Sequence, residues 1–227
     1  MISWFGSTLR IVSRCWPIQR LSVSLIACKN GERTIGHTVR SAASQADVFV
    51  VSEGSTDRTA EVARAAGARV LERTTSGGKP AALRTGESRF KLSERYLYVA
   101  ILDDDTTIEP RYVEKLVAAL EADANVAAAS GRIDSLWDHA RRWNPLIAMR
   151  AFTYWSYQST IKRGQNALRV VNVICGANTI FRAKVFADLI AQEVPYAIDD
   201  MFWLAQIVRN HARNALAQRA GAYVNCR

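Results

Sequence analysis

The sequence predicts an α/β domain: a mostly parallel central sheet flanked by helices. Three observations predict it. Short apolar runs of strand length alternate with segments of helical periodicity through the first 131 residues, the pattern of a sheet covered on both faces. The turns that follow these runs carry glycines, a lysine and carboxylates. The composition, 49% hydrophobic and 22% charged, is that of an ordinary globular chain, which excludes disorder, collagen-like fibres and low-complexity linkers.

Residues 21–27 (LSVSLIA) form the first apolar run, and 34–44 then read as a helix. Residues 48–52 (VFVVS) are a second strand. In the GSTD turn that follows, Ser55 and Thr56 can cap a helix, and Asp57 and Glu61 suit its positive end. Gly67 is a natural residue to end that helix. Residues 68–72 give a third strand, 79–90 a helix entered through Gly77-Gly78, and 96–102 (YLYVAIL) a fourth strand. Pro110 stands where the next helix would begin. Val113, Leu116, Val117 and Leu120 recur at helical spacing. Residues 126–130 are a further strand. In the second half, residues 137–169, rich in Trp, Tyr and Arg, read helical; 170–174 look like a strand; 184–192 and 201–211 look like helices. No linker or internal repeat interrupts residues 21–227.

The formal net charge is +9. Nucleic acid, a membrane surface or an anionic small molecule could each answer to it. The basic residues are dispersed and no nucleic-acid-binding signature accompanies them. No run of apolar residues is long enough to cross a membrane. Residues 1–20 mix Trp4, Phe5, Ile11, Val12 and Trp16 with Arg10, Arg14 and Arg20. They read either as a helix lying on the core or as a basic amphipathic segment on anionic lipid, and not as a signal peptide. Cys15, Cys28, Cys175 and Cys226 form no C-x-x-C pair, so neither a zinc site nor a disulfide scaffold is expected, and a reducing compartment fits.

In parallel sheets ligands bind beyond the carboxyl ends of the strands. There the sequence places Cys28-Lys29-Asn30-Gly31-Glu32-Arg33, Glu53-Gly54-Ser55-Thr56-Asp57, Gly77-Gly78-Lys79 and Asp103-Asp104-Asp105-Thr106. Carboxylates are hard ligands for a divalent cation, and lysine and backbone amides meet phosphate. The set suits a nucleoside diphosphate bridged by a metal. A dinucleotide-binding G-x-G-x-x-G turn is absent after the first strand. A phosphate-binding G-x-x-x-x-G-K-[ST] loop fails at Arg73 and Pro80.

Taken in order, these segments resemble family 2 glycosyltransferases, the GT-A fold group that includes cellulose, chitin and hyaluronan synthases. Residues 24–33 resemble the family's first-strand segment. Residues 50–59 resemble V-V-D-D-G-S-T-D-R-T, and 77–86 (GGKPAALRTG) resemble G-G-K-A-x-A-L-N-x-G. Residues 102–106 (LDDDT) resemble the segment carrying D-x-D. Residues 174–182 (ICGANTIFR) are similar to the acceptor-side segment, and Asp199-Asp200 falls where the family has a catalytic carboxylate.

The resemblance implies a single GT-A domain over residues 21–227 with a Rossmann-like sheet. Residues 21–131 would form the nucleotide-sugar half and 132–227 the acceptor half. It implies a metal site, Mg2+ or Mn2+, at Asp103 and Asp105, with Asp104 a bystander. Donor contacts would come from Asn30, Glu32, Glu53, Lys79 and Asp103, and acceptor contacts from Cys175 and Gly176. Asp200 would be the general base, supported by Asp199. A UDP-sugar is the preferred donor and a glycan or lipid-linked sugar the acceptor; direct displacement would give a β-linkage. Each residue also has a plainer role: a solvated acidic turn, a solvated lysine, a helix-start carboxylate, a small buried thiol.

Departures from the pattern are Ser52 for the first Asp after strand two, Ala27 and Gly31 for Pro and Glu, and Arg84 for Asn. After Gln218 the expected Q-x-x-R-W does not follow. A compact non-processive enzyme, a truncated chain, a partner-completed one or a non-catalytic binding relative would each explain that. The expected setting is cytoplasmic, peripheral on the membrane, with no nucleic-acid partner.

Overall fold

The computed structural model describes residues 21–133, 144–168, 176–192 and 222–224. The strand expected at 170–174, the helix at 201–211 and the segment 1–20 lie outside them.

Seven strands form one sheet in the order β3-β2-β1-β4-β6-β5-β7. They are β1 (Ser22–Cys28), β2 (Asp47–Glu53), β3 (Arg69–Arg73), β4 (Tyr98–Leu102), β5 (Ala128–Gly131), β6 (Asn178–Arg182) and β7 (Ala222–Val224). The pairs β3-β2, β2-β1, β1-β4 and β5-β7 are parallel, and β6 runs antiparallel to both β4 and β5. The expected mostly parallel sheet is therefore present, with β6 as the one reversed strand among those described.

Strand residues alternate between two apolar layers. Ile26, Val48, Val50, Ala100, Leu102 and Ile180 meet α1 (Ile35–Ala43), α2 (Thr59–Ala65) and α5 (Tyr112–Glu121) on one face. Val23, Leu25, Phe49, Val51, Val99, Ile101 and Phe181 meet α3 (Lys79–Phe90), α4 (Leu92–Arg95) and α8 (Ala183–Ile190) on the other. A sheet covered twice needs apolar residues on both faces, so its strands read as continuous apolar runs. The edge strand β3 instead carries Arg69, Glu72 and Arg73, which discourages further pairing.

Three local expectations need correction. Ser55 and Thr56 do not cap α2; Asp57 does, its Oδ1 accepting from the Thr59 N–H at 3.0 Å. Ser55 and Thr56 are held by Asn30 instead. Pro110 is not the first helical residue. The Tyr112 N–H returns to the Glu109 carbonyl at 3.1 Å, and Arg111 is left-handed, at φ 62° and ψ 18°. That is a type II turn with proline at its second position, and α5 starts after it. Finally, β4 starts at Tyr98, two residues inside the expected 96–102, and it follows the short helix α4, which buries Leu92. Gly67 does end α2, at φ +106°.

After β5 the chain enters a helical arm: α6 (Pro145–Ser156), a π-helical stretch (Tyr157–Lys162) and α7 (Arg163–Ala167). Asn144 caps it, its side chain accepting from the Leu146 N–H. Among the described residues no helix is long and apolar enough to cross a membrane.

Candidate functional site

The carboxyl ends of β1, β2 and β4 lie side by side, because these strands are parallel and adjacent. Their loops form the site.

The β1 and β2 loops are laced together. The Asn30 N–H donates to Ser55 Oγ (3.1 Å), and Asn30 Oδ1 accepts from the Thr56 N–H (2.9 Å). The Gly31 N–H donates to Thr59 Oγ1 (2.8 Å) and the Glu32 N–H to Asp57 Oδ2 (3.1 Å). Glu32 Oε2 accepts from the Arg58 N–H (2.9 Å). The Thr59 hydroxyl, with the amides of Glu32 and Thr59, holds the Asp57 carboxyl below the usual carboxylate range. Asn30 and Glu32 thus join two loops. Asn30 does so at φ 54°, a region that asparagine tolerates better than most residues.

Glu53 is buried at the end of β2. Its carboxylate pairs with Arg73, accepts from the Gly77 N–H (3.3 Å) and lies 3.3 Å from Ser76 Oγ. A buried charge needs such partners. Glu53 therefore fixes the glycine turn from which Lys79 starts α3. Ser52, in the place of a usual carboxylate, donates to Ser55 Oγ at 2.9 Å.

Lys79 crosses from α3 to the end of β4. Its Nζ pairs with Asp103 Oδ1 and donates to the Gly176 carbonyl at 2.7 Å. The Asp103 N–H donates to the Ala177 carbonyl at 3.1 Å. The register that sets Leu102 opposite Asn178 brings Gly176 and Ala177 beside Asp103. Lys79 is thus not a solvated lysine, although about a third of the pair remains open to water (28% and 38% of the two side chains).

The three consecutive aspartates divide their roles. Asp103 faces Lys79. Asp105 is exposed and, among the described residues, takes no hydrogen bond or ion pair. Asp104 turns inward: its Oδ2 accepts from the buried Cys28 thiol at 3.0 Å and its carbonyl from Thr38 Oγ1 at 2.9 Å. Burial first, then Asp104, raises the Cys28 thiol far above its ordinary range, so Cys28 is a donor and not a thiolate. Gly31 makes the space. A Cβ there would stand 2.4 Å from Cys28 Sγ and 2.5 Å from Asp104 Oδ2. Asp104 is thus tied to β1 and α1 and is not a solvated carboxylate.

The fold brings together Asn30, Glu32, Glu53, Lys79, Asp103, Asp105 and Gly176. Cys175, Asp199 and Asp200 lie outside the described residues. Arg73 and Ser76 go unnoticed in sequence, because nothing in a strand end and a following loop announces the carboxylate they hold.

Among the described residues, no group of three or more His, Cys, Asp or Glu is placed to hold a metal. Two carboxylates, Asp103 and Asp105, remain. Magnesium commonly uses one or two carboxylates, with substrate phosphates and water completing its shell. The donor set fits such an ion and does not fit an all-protein cage.

A family model described as "Glycosyl transferase family 2" matches residues 24–190. A curated relative, the poly-beta-1,6-N-acetyl-D-glucosamine synthase of Staphylococcus epidermidis, is 24% identical over 194 residues, covering 82% of this chain and 45% of its own length. The chain therefore spans about half of that relative. Among solved structures, glucosyl-3-phosphoglycerate synthase from Mycobacterium tuberculosis in complex with Mg2+ and UDP superposes with a TM-score of 0.58 at 21% identity, covering 99% of this chain and 74% of that one. The same enzyme with UDP alone gives 0.59 at 20% identity, covering 100% and 76%. The shared architecture meets the expectation of a GT-A fold.

Proposed function

The chain belongs to glycosyl transferase family 2, and from that premise we propose that it moves a sugar from a UDP-sugar to a glycan or lipid-linked acceptor, with inversion, forming a β-glycosidic bond. The observation that carries the reading is the Lys79–Asp103 pair at the end of β4, with Asp105 exposed two residues on. The neighbour solved with UDP and Mg2+ supports the donor and the metal. The relative that makes poly-beta-1,6-N-acetyl-D-glucosamine supports a glycan product and a β-linkage.

Asp103 and Asp105 would hold Mg2+ or Mn2+. When bound, the cation supplies positive charge against the diphosphate of the departing UDP. Lys79 already stands at this place, neutralised by Asp103. A donor phosphate would take the ammonium over and free the Asp103 carboxylate for the cation. Glu53 lines the nucleoside side, rigid through Arg73 and Gly77. Asn30 and Glu32 close the floor on which the donor lies, through the loop lacing above.

A sugar hydroxyl is a weak nucleophile, so a carboxylate must take its proton during attack. By resemblance that base is Asp200, with Asp199 beside it, and Cys175 and Gly176 border the acceptor. The Gly176 carbonyl accepts from Lys79, which ties the acceptor edge to the donor lysine. The enzyme works as a peripheral protein at the cytoplasmic face of the membrane, with residues 21–227 as its catalytic domain.

Thermal-shift measurements with UDP-glucose, UDP-N-acetylglucosamine and a GDP-sugar, with and without Mn2+, test this. A ligand at about 100 times its Kd stabilises by about 2.7 kcal/mol. The expected result is an upward shift with a UDP-sugar that needs the cation. No shift across the panel contradicts the reading.

A further inference from the structure

The helical arm 145–167 leaves large apolar side chains in water. A helix on a globular surface turns its apolar stripe to the core and its polar side to water, as α1, α5 and α8 do here. In the arm, α6 buries no residue at all. Leu146, Met149, Phe152, Trp155, Ile161 and Leu168 are each exposed by half or more (70%, 63%, 63%, 50%, 50% and 75%). The two buried side chains among the arm's described residues are polar: Gln158 is 7% exposed and Lys162 8%.

The arm is held by hydrogen bonds. Gln158 Oε1 accepts from the Ile133 N–H and its Nε2 donates to the Ile133 carbonyl, both at 2.7 Å. The side chain pairs with the backbone just past β5 as a neighbouring strand would. The π-helical stretch keeps Gln158 and Lys162 on the same inward side. This polar anchorage leaves the apolar face free. The patch is continuous at its centre, with the Phe152 and Trp155 rings 5.9 Å apart. Scattered apolar residues on a surface are ordinary; a joined patch marks an interaction site.

Charge selects the occupant. Residues 144–168 contain no acidic residue, and their exposed charges are Arg150 and Arg163, since Lys162 faces inward. Arg150 lies over the Tyr154 ring at 5.8 Å. A second copy docked two-fold on this patch would set basic residues against basic residues. Residues 1–20 also lack an acidic group and complement it no better. An anionic lipid surface offers what both lack. It takes up Leu, Met and Phe below the headgroups, Trp and Tyr at their level, and Arg and Lys against the phosphates.

We propose that the arm 145–168 is an in-plane membrane-docking helix that seats its exposed Met149-Phe152-Trp155 side on anionic phospholipid. The proposal rests on the transferase reading for its purpose, which is to hold the acceptor edge of the sheet against a membrane-borne acceptor.

The test is co-sedimentation of the full chain with phosphatidylcholine vesicles and with vesicles containing about one third phosphatidylglycerol. The expected result is binding to the anionic vesicles only, weakened by salt. The double substitution Phe152→Ser/Trp155→Ser should lower vesicle affinity at least roughly tenfold, with circular dichroism and the melting transition unchanged. Arg150→Glu should weaken binding as well and leave folding intact. Three outcomes overturn the proposal: no binding of the unaltered chain to anionic vesicles, undiminished binding of the double variant, or a lipid-free dimer in sedimentation velocity that the double variant abolishes. The UDP-sugar thermal shift, run on the same samples, separates the two readings. If it is absent while vesicle binding holds, the transfer reading fails and the docking face stands; the reverse removes only the docking face.

Discussion

Gly31→Ala is the substitution that bears most directly on how the aspartate loop is held. The new methyl would stand 2.4 Å from Cys28 Sγ and 2.5 Å from Asp104 Oδ2, far inside van der Waals contact. Cys28 is the last residue of the central strand β1 and cannot retreat, so Asp104 must move and lose the thiol bond. Overpacking a close-fitting site costs about 1–3 kcal/mol. A lost hydrogen bond to a charged group costs about 1.5–3 kcal/mol, and a thiol, as a weak donor, belongs at or below the lower end. The sum is about 2–4 kcal/mol. For a chain of this size that is a fall in Tm of roughly 4–16 °C. Guanidinium titration and differential scanning calorimetry read it. Displacing Asp104 also turns Asp103 and Asp105, so donor affinity in Mn2+ should fall further than stability alone explains. Adding Asp104→Ser to Gly31→Ala vacates the space and should recover about half of the lost Tm. A Gly31→Ala protein within ~0.5 kcal/mol of the parent would refute the reasoning.

Other expectations follow from the same geometry. Lys79→Ala removes an ion pair about a third open to water, so stability should change by about 1 kcal/mol or less, while UDP-sugar affinity by calorimetric titration falls roughly 10- to 100-fold. Asp105→Ala should leave the melting temperature unchanged, since the side chain is exposed, and abolish the dependence of donor binding on Mn2+. The protein should weaken at alkaline pH. Burial, then the Asp47 carboxylate it donates to, pushes Tyr96 up to about 12 from a usual value of 10.0, and burial with Glu121 raises Tyr98 further. A raised folded-state pKa gives stability that is complete below the unfolded value and lost as pH climbs through the folded one. Denaturation midpoints should therefore hold to about pH 10 and drop towards pH 12. Tyr98→Phe should flatten the drop.

The parallel half of the fold is legible because a doubly covered strand must be apolar on both faces. Residues 21–27, 48–52 and 96–102 announce β1, β2 and β4 for that reason, and α3 occupies the expected residues 79–90. β6 is harder to see. Asn178 and Thr179 are polar, and their burial depends on distant partners: the Asn178 carbonyl takes the Tyr112 hydroxyl, and Thr179 meets Ser130. The site is legible as a set of loops, since carboxylates, glycines and one lysine stand after successive strands. It is not legible as a division of labour. Three aspartates in a row look alike until the end of β4 at Leu102 fixes which one turns inward to Cys28. Glu53 looks available for a ligand until Arg73, twenty residues on, is seen to claim it. The arm 145–168 is legible in part: its Trp, Tyr and Arg content shows in the sequence, but which of its side chains are buried is decided by the distant Gln158–Ile133 pairing.

The central claim is metal-dependent sugar transfer from the Lys79-Asp103-Asp105 site. Its most direct test is UDP release from a UDP-sugar, with Mn2+ and a glycan or lipid-linked acceptor, by the unaltered chain, Asp105→Ala and Asp200→Asn. The account predicts turnover in the first, none in the other two, and a β-configured product by NMR. Full turnover in both variants, or an α-configured product, would contradict it.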